Sequence, residues 1–167
     1  MLVDISITIA PVVLNGLFVA AEFAIVKVRS SQIAIQSGTA SKRAAKVIIE
    51  NLDSFLAATQ LGITLASLGL GWVGEDVFSR MILWLVDRLG FTMSTEMSHR
   101  IALPVAFFFL TVSHIVFGEQ APKTIAIRYP TATTLLLSIP LRIFYFVFSP
   151  LIRMLNGFSM LLLRLVG

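Results

Sequence analysis

Apolar residues fall in long uninterrupted runs along this chain, and charged residues are confined to the ends of those runs. From Met1 to Val26 the only charged side chains are Asp4 and Glu22, and Lys27 and Arg29 follow directly. Ser54 to Gly74 and Ile101 to Gly118 contain no Asp, Glu, Lys or Arg. A helix needs roughly 20 apolar residues to cross a bilayer, so these runs predict spans at about 2–27, 53–74 and 101–118. Between the first two, Gln36 to Ser41 is rich in turn formers, and Thr39 or Ser41 is placed to cap a short helix reaching Asn51. After the second, Val77 to Leu89 is amphipathic and includes Trp84, which predicts a helix lying along the outer interface. Gly90 and Ser94 read as breaks. From Thr131 onward only Arg142, Arg153 and Arg164 are charged, at a spacing of eleven residues that puts them on one helical face. Placing Arg142 in the middle of a span would cost at least ~2.5 kcal/mol. With Pro140 and Pro150 as kinks, 131–166 is therefore expected to form a bent juxtamembrane belt, and a fourth span from Leu135 to Ile152 is the alternative. The expected fold is an all-α membrane protein, a single transmembrane domain over 1–167 with three transmembrane helices, short interfacial helices and the belt.

Composition narrows the function classes. The chain is 57% hydrophobic and 13% charged, against about 25% charged in a soluble domain. The net charge of +4 would point to nucleic acid in a soluble protein, but here the basic residues flank apolar runs and act as topology signals, so nucleic-acid binding is rejected. The segment from Lys27 to Leu52 carries five basic residues and one acidic. The positive-inside rule makes it cytoplasmic, with the N-terminus outside, the C-terminus inside and a multi-pass location in the cell membrane. The chain has no cysteine, which excludes disulfides, thiolate metal sites and cysteine nucleophiles. The start lacks a basic n-region and reads as a retained span. No His-Glu-x-x-His, no Gly-x-Ser-x-Gly and no paired intramembrane aspartates are present, so no catalytic residue is assigned and an enzyme is not expected.

Polar side chains inside the apolar runs carry the candidate chemistry. Thr8, Pro11, Asn15 and Glu22 share one side of the first span, and an ionisable Glu22 so placed faces protein or a water-filled cavity, or pairs with a cation such as Lys27. In the second span Ala57, Gln60, Thr64, Ser67 and Gly71 form a small and polar stripe. Ser67, Gly69 and Gly71 read as a packing face, whereas the oxygens of Gln60 and Thr64 also suit a hard cation. The third span carries Thr111, Ser113 and His114 near its end, then Gly118, Glu119, Pro122 and Lys123. Proline cannot continue a helix, and the carbonyls it frees need partners, of which a cation is one.

Three motifs in order resemble one family. Asn15-Gly16-Leu17-Phe18-Val19-Ala20-Ala21-Glu22-Phe23-Ala24, Gln60-Leu61-Gly62-Ile63-Thr64 and His114-Ile115-Val116-Phe117-Gly118-Glu119-Gln120-Ala121-Pro122-Lys123 are similar to the membrane domain of the CorC/CNNM family, including bacterial members described as haemolysin-like. The resemblance implies a homodimeric transporter that exports Mg²⁺, with Na⁺ as a candidate counter-ion. It also implies three transmembrane helices and a juxtamembrane belt, followed by cytoplasmic ATP-binding CBS domains and a small C-terminal domain. Neither follows before Gly167, so an isolated membrane domain without ATP regulation is expected. Many members carry serines where this chain has Ala20 and Ala21. A hydroxyl ligand does not transfer to those positions, and either the backbone carbonyls near Ala20 serve or the ligand set differs.

Mg²⁺ prefers six oxygens at about 2.1 Å and dehydrates reluctantly. The expected site is a cytoplasm-facing cavity holding a dehydrated Mg²⁺, with Glu119 as principal charged ligand and carbonyls around Gly118. Glu22 would stand at the mouth and Asn15, Gln60, Thr64, Ser113 and His114 deeper, while Pro122, Lys123 and Gly62 act as hinge or structural positions. The rival readings are an anchoring module for regulatory cytoplasmic domains and an uncoupled divalent-cation channel.

Overall fold

The computed structural model describes residues 2–29, 31, 33, 39–88 and 95–166. The described residues are helical in α1 (Leu2–Lys27), α2 (Ala40–Glu50), α3 (Leu52–Arg88), α4 (Thr95–Ser113), a π-helical segment (His114–Gln120), α5 (Ala121–Arg128) and α6 (Pro130–Val166). The chain is an all-helical, multi-pass membrane protein. Four stretches are long and apolar enough to cross a bilayer, Thr8–Lys27, Leu52–Trp72, Pro104–Arg128 and Pro130–Arg164.

Small residues set the packing. Lipid tails are as apolar as leucine, so membrane helices associate through close contact at small side chains instead of hydrophobic exclusion. Ala20, Ala21, Ala24 and Ile25 of α1 meet Ile48 of α2, Phe55 of α3, Ala126 of α5 and Leu137 and Leu141 of α6 in one buried cluster. Aromatic rings fill its edges, with Phe18 edge-on to Phe144 at 4.7 Å and Phe55 against Tyr145 at 4.6 Å. Among the described side chains of α3 the buried positions are Phe55, Ala58, Thr59, Gly62, Ala66, Leu70, Gly74 and Val77. This face is different from the stripe picked out by polarity. Gln60, Thr64 and Gly71 are exposed, and a side chain at Gly69 or Gly71 would meet nothing within 4 Å. The glycines that pack are Gly62, where a Cβ would lie 2.5 Å from the Phe18 ring, and Gly74, where it would lie 2.9 Å from a Leu110 methyl.

Two expected helix ends are absent. α3 runs through Gly74, Glu75 and Asp76 without interruption to Arg88, so Val77 to Arg88 belongs to the second span's own helix and is not a separate interfacial one. The charges mark where the membrane stops, and Gly74 serves contact with α4 instead of a turn. The third run likewise continues past Gly118, through the π-helical segment and into α5, where Pro122 occupies the first turn and its missing N–H is tolerated. The expected break there is corrected to a change of helical pitch. Thr39 does stand at the N-cap of α2, without a side-chain capping bond. Gln36, Ser37, Gly38, Gly90 and Ser94 lie outside the described residues.

α6 is one helix holding both Pro140 and Pro150. Pro150 cannot donate to the Phe146 carbonyl four residues back, and the Ser149 hydroxyl donates to it instead at 3.1 Å. The Ser138 hydroxyl is 2.9 Å from two carbonyls, that of Leu135 in its own helix and that of Ser41 in α2. That contact ties the first third of α6 to the α2 connection between the first two spans.

Candidate functional site

The π-helical segment is where the helices converge. Pro122 has no N–H, so the Gly118 carbonyl four residues earlier has lost its α-helical donor. Asn15 replaces it, its side-chain amide donating to the Gly118 oxygen at 2.9 Å in a buried bond. The neighbouring Gly16 lets α1 approach, because a Cβ there would lie 2.9 Å from Pro122 Cγ and 3.2 Å from the Phe117 oxygen. Gly118 is confined too, its absent Cβ facing His114 Cδ2 at 3.0 Å and Asn15 Nδ2 at 3.2 Å. On its other side Asn15 Oδ1 accepts a long bond of 3.4 Å from the Ser67 hydroxyl of α3. One buried asparagine thus ties three helical elements together.

Beside this junction is a pocket of about 300 Å³ lined by Asn15, Val19, Glu22, Phe23, Ile63, Ser67, His114 and Glu119. Its polar groups are two carboxylates, an amide, a hydroxyl and an imidazole. Among the described residues neither Glu22 nor Glu119 has an ion-pair partner, whereas Lys46 and Glu50 pair at 3.8 Å on the surface of α2. Lys123 is one helical turn from Glu119, yet its Nζ lies over the Phe23 ring at 4.6 Å. The imidazole Nε2 of His114 is buried without a hydrogen-bond partner. Among the described residues no three of His, Cys, Asp and Glu converge closely enough to form a metal cluster. A cation here would therefore meet two carboxylates and neutral oxygens, with water completing its shell.

The chain's expected site residues divide into two groups. Asn15, Glu22, His114 and Glu119 share the pocket, and Gly118 lies behind it with its carbonyl already accepting from Asn15. Gln60 and Thr64 do not line it. Both are exposed, and the Thr64 hydroxyl donates to the Gln60 carbonyl within α3 at 2.8 Å. Ser113 is also not among the lining residues, and Ala20 belongs to the apolar cluster. Pro122 and Gly62 hold helix contacts, through Gly16 and Phe18 respectively. Ser67 was read from sequence as packing, and the structure places it in the pocket wall. It stands one turn after Ile63, which lines the same pocket.

A family model described as the cyclin M transmembrane N-terminal domain matches residues 6–167. The chain belongs to this CNNM family. It is 45% identical over 156 residues to the UPF0053 protein YugS of Bacillus subtilis, covering 92% of this chain and 36% of that protein. Similarity to YhdT of the same organism is alike, 45% over 158 residues, covering 93% and 34%. The uncharacterized protein Rv1841c of Mycobacterium tuberculosis is 31% identical over 158 residues, covering 92% and 43%. The chain spans about a third of the length of the Bacillus CNNM relatives it matches.

Proposed function

We propose that this CNNM membrane domain binds and transports Mg²⁺ through the pocket between α1, α3 and the π-helical segment. The observation that carries the reading is the pair Glu22 and Glu119, two carboxylates on one pocket with no cationic side chain paired to either among the described residues. Carboxylates in a membrane segment are costly unless a cation or water offsets them. Mg²⁺ usually keeps several waters and takes one or two carboxylates, which suits this sparse ligand set better than full dehydration. Neutral oxygens come from Asn15 and Ser67, and the Gly118 carbonyl has a second lone pair beyond the bond from Asn15.

The topology in this reading rests on the basic-residue pattern, and the dimer, the counter-ion and the regulation rest on the family resemblance. The N-terminus is outside and α2 is cytoplasmic, so the pocket, near the end of α1 that leads to α2, opens to the cytoplasm. α6, held to α2 through Ser138, runs along that interface as a belt, which leaves three crossings. The outward stripe of Gln60, Thr64 and Gly71 is the contact surface of a homodimer. Na⁺ drives export, with α1 and α3 rocking about the Asn15 junction. ATP-binding CBS domains in the full-length protein would regulate it.

Glu119→Gln tests the site. The purified domain should be stabilised by Mg²⁺ against heat, and the variant should lose that stabilisation while remaining dimeric. Unchanged Mg²⁺ binding by calorimetry in the variant would rule the pocket out. Flux into proteoliposomes with and without an imposed Na⁺ gradient separates a coupled carrier from a channel, and no Mg²⁺ flux at all would favour an anchoring role.

A further inference from the structure

A second cavity, of about 410 Å³, lies between α2 and α6. It is lined by Ala40, Ala44, Ile139, Arg142, Ile143 and Phe146. We propose that it holds one anionic phospholipid, with an acyl chain along Ile139, Ile143 and Phe146 and the headgroup phosphate on Arg142.

Depth in the membrane comes first. α2 joins the end of one span, Lys27, to the start of the next, Leu52. It therefore sits at the membrane surface. The Ser138 to Ser41 bond holds α6 at that level, and Arg142 is one turn further along α6. The groove thus opens where headgroups and acyl chains meet.

Charge supplies the selectivity. Arg142 is exposed and has no ion-pair partner among the described residues, and α6 contains no acidic residue. The first turn of α2 also lacks an acidic residue, and Arg43 is next to Ala44 on that helix. A guanidinium grips phosphate oxygens through two parallel donors. Ile143 and Phe146 are 61% and 81% exposed, and in water such rings and branches would be a liability, whereas an acyl chain covers them. A zwitterionic lipid would fit the same groove but present its own cation to Arg142, so the net negative headgroup is favoured.

The test is lipid retention by the purified chain, measured by native mass spectrometry after equilibration with equimolar phosphatidylglycerol and phosphatidylcholine. Phosphatidylglycerol should be retained roughly fivefold over phosphatidylcholine, the scale expected of one basic residue near a membrane surface. Arg142→Gln should erase that preference, and Arg164→Gln, at the far end of α6, should keep it. Ala40→Trp, which narrows the groove at an exposed position, should lower phosphatidylglycerol retention with Arg142 still present. Equal retention of the two lipids by the unaltered chain, or an Arg142→Gln variant that keeps the preference, would overturn the proposal. Retention unaffected by Ala40→Trp would place the lipid elsewhere and also overturn it. None of these readouts depends on Mg²⁺.

Discussion

Asn15 and Gly118, 103 positions apart, are joined by a 2.9 Å bond from a side-chain amide to a backbone carbonyl. Asn15 is 2% exposed, and the bond is buried. Asn15→Ala should remove the side-chain donor to the Gly118 carbonyl and destabilise the domain by roughly 1–3 kcal/mol. Thermal unfolding in a fixed detergent reads this directly, and an unchanged midpoint would mean the bond contributes nothing.

Pro122 creates the need that Asn15 fills. Pro122→Ala restores an N–H at that position, which can reach back to the Gly118 oxygen as in an ordinary α-helix. The cost of Asn15→Ala should therefore be smaller in a Pro122→Ala background. A double-mutant cycle should give a coupling of about 0.5–3 kcal/mol, and strict additivity would show that the proline and the amide act independently.

The glycines of α3 should separate cleanly. Gly62→Ala forces a methyl against Phe18, a ring already held edge-on by Phe144, and overpacking of this kind typically costs about 1–3 kcal/mol. Gly69→Ala meets open space and should be neutral or stabilising by up to ~1 kcal/mol through helix propensity. Gly71→Leu, also in open space within one chain, tests the proposed homodimer and should shift light scattering toward the monomer without unfolding the helices. If Gly62→Ala is tolerated as well as Gly69→Ala, the α1 to α3 packing is not as described.

Glu22 shares the pocket with Glu119, so Glu22→Gln should weaken Mg²⁺ binding by about tenfold, equivalent to ~1.4 kcal/mol. Glu50→Gln alters a carboxylate that faces Lys46 on the surface of α2, and its Mg²⁺ titration should match the unaltered chain. Equal effects of the two substitutions would reduce the Glu22 result to a general loss of negative charge.

The first helix was legible because its apolar run is closed sharply by Lys27 and Arg29, and the family was legible because three short motifs recur in order. The inward face of α3 was not. Two faces of that helix carry small residues, one through Gly62, Ala66 and Gly74 and one through Gln60, Thr64 and Gly71. Periodicity finds both and does not say which one meets α1. Charge was misleading in a different way at Glu75 and Asp76, where it signals the edge of the hydrocarbon and leaves the backbone helical. At Gly118 the pairing of glycine with a following proline did foretell a carbonyl in need of a partner. That Asn15 supplies it, and that Lys123 turns to Phe23 instead of Glu119, depends on how α1 docks against the π-helical segment, which no local pattern encodes.

The unbroken length of α3 also reaches beyond the bilayer. The sixteen residues after Trp72, from Val73 to Arg88, rise about 24 Å at helical pitch, close to the thickness of the hydrocarbon itself. This helix is fastened to Phe18 through Gly62 and to Leu110 of α4 through Gly74, and it carries Trp84 and Arg88 at its far end. If α3 moves as one body in the proposed transport cycle, a fluorophore at Trp84 would report from one face of the membrane on events near the other.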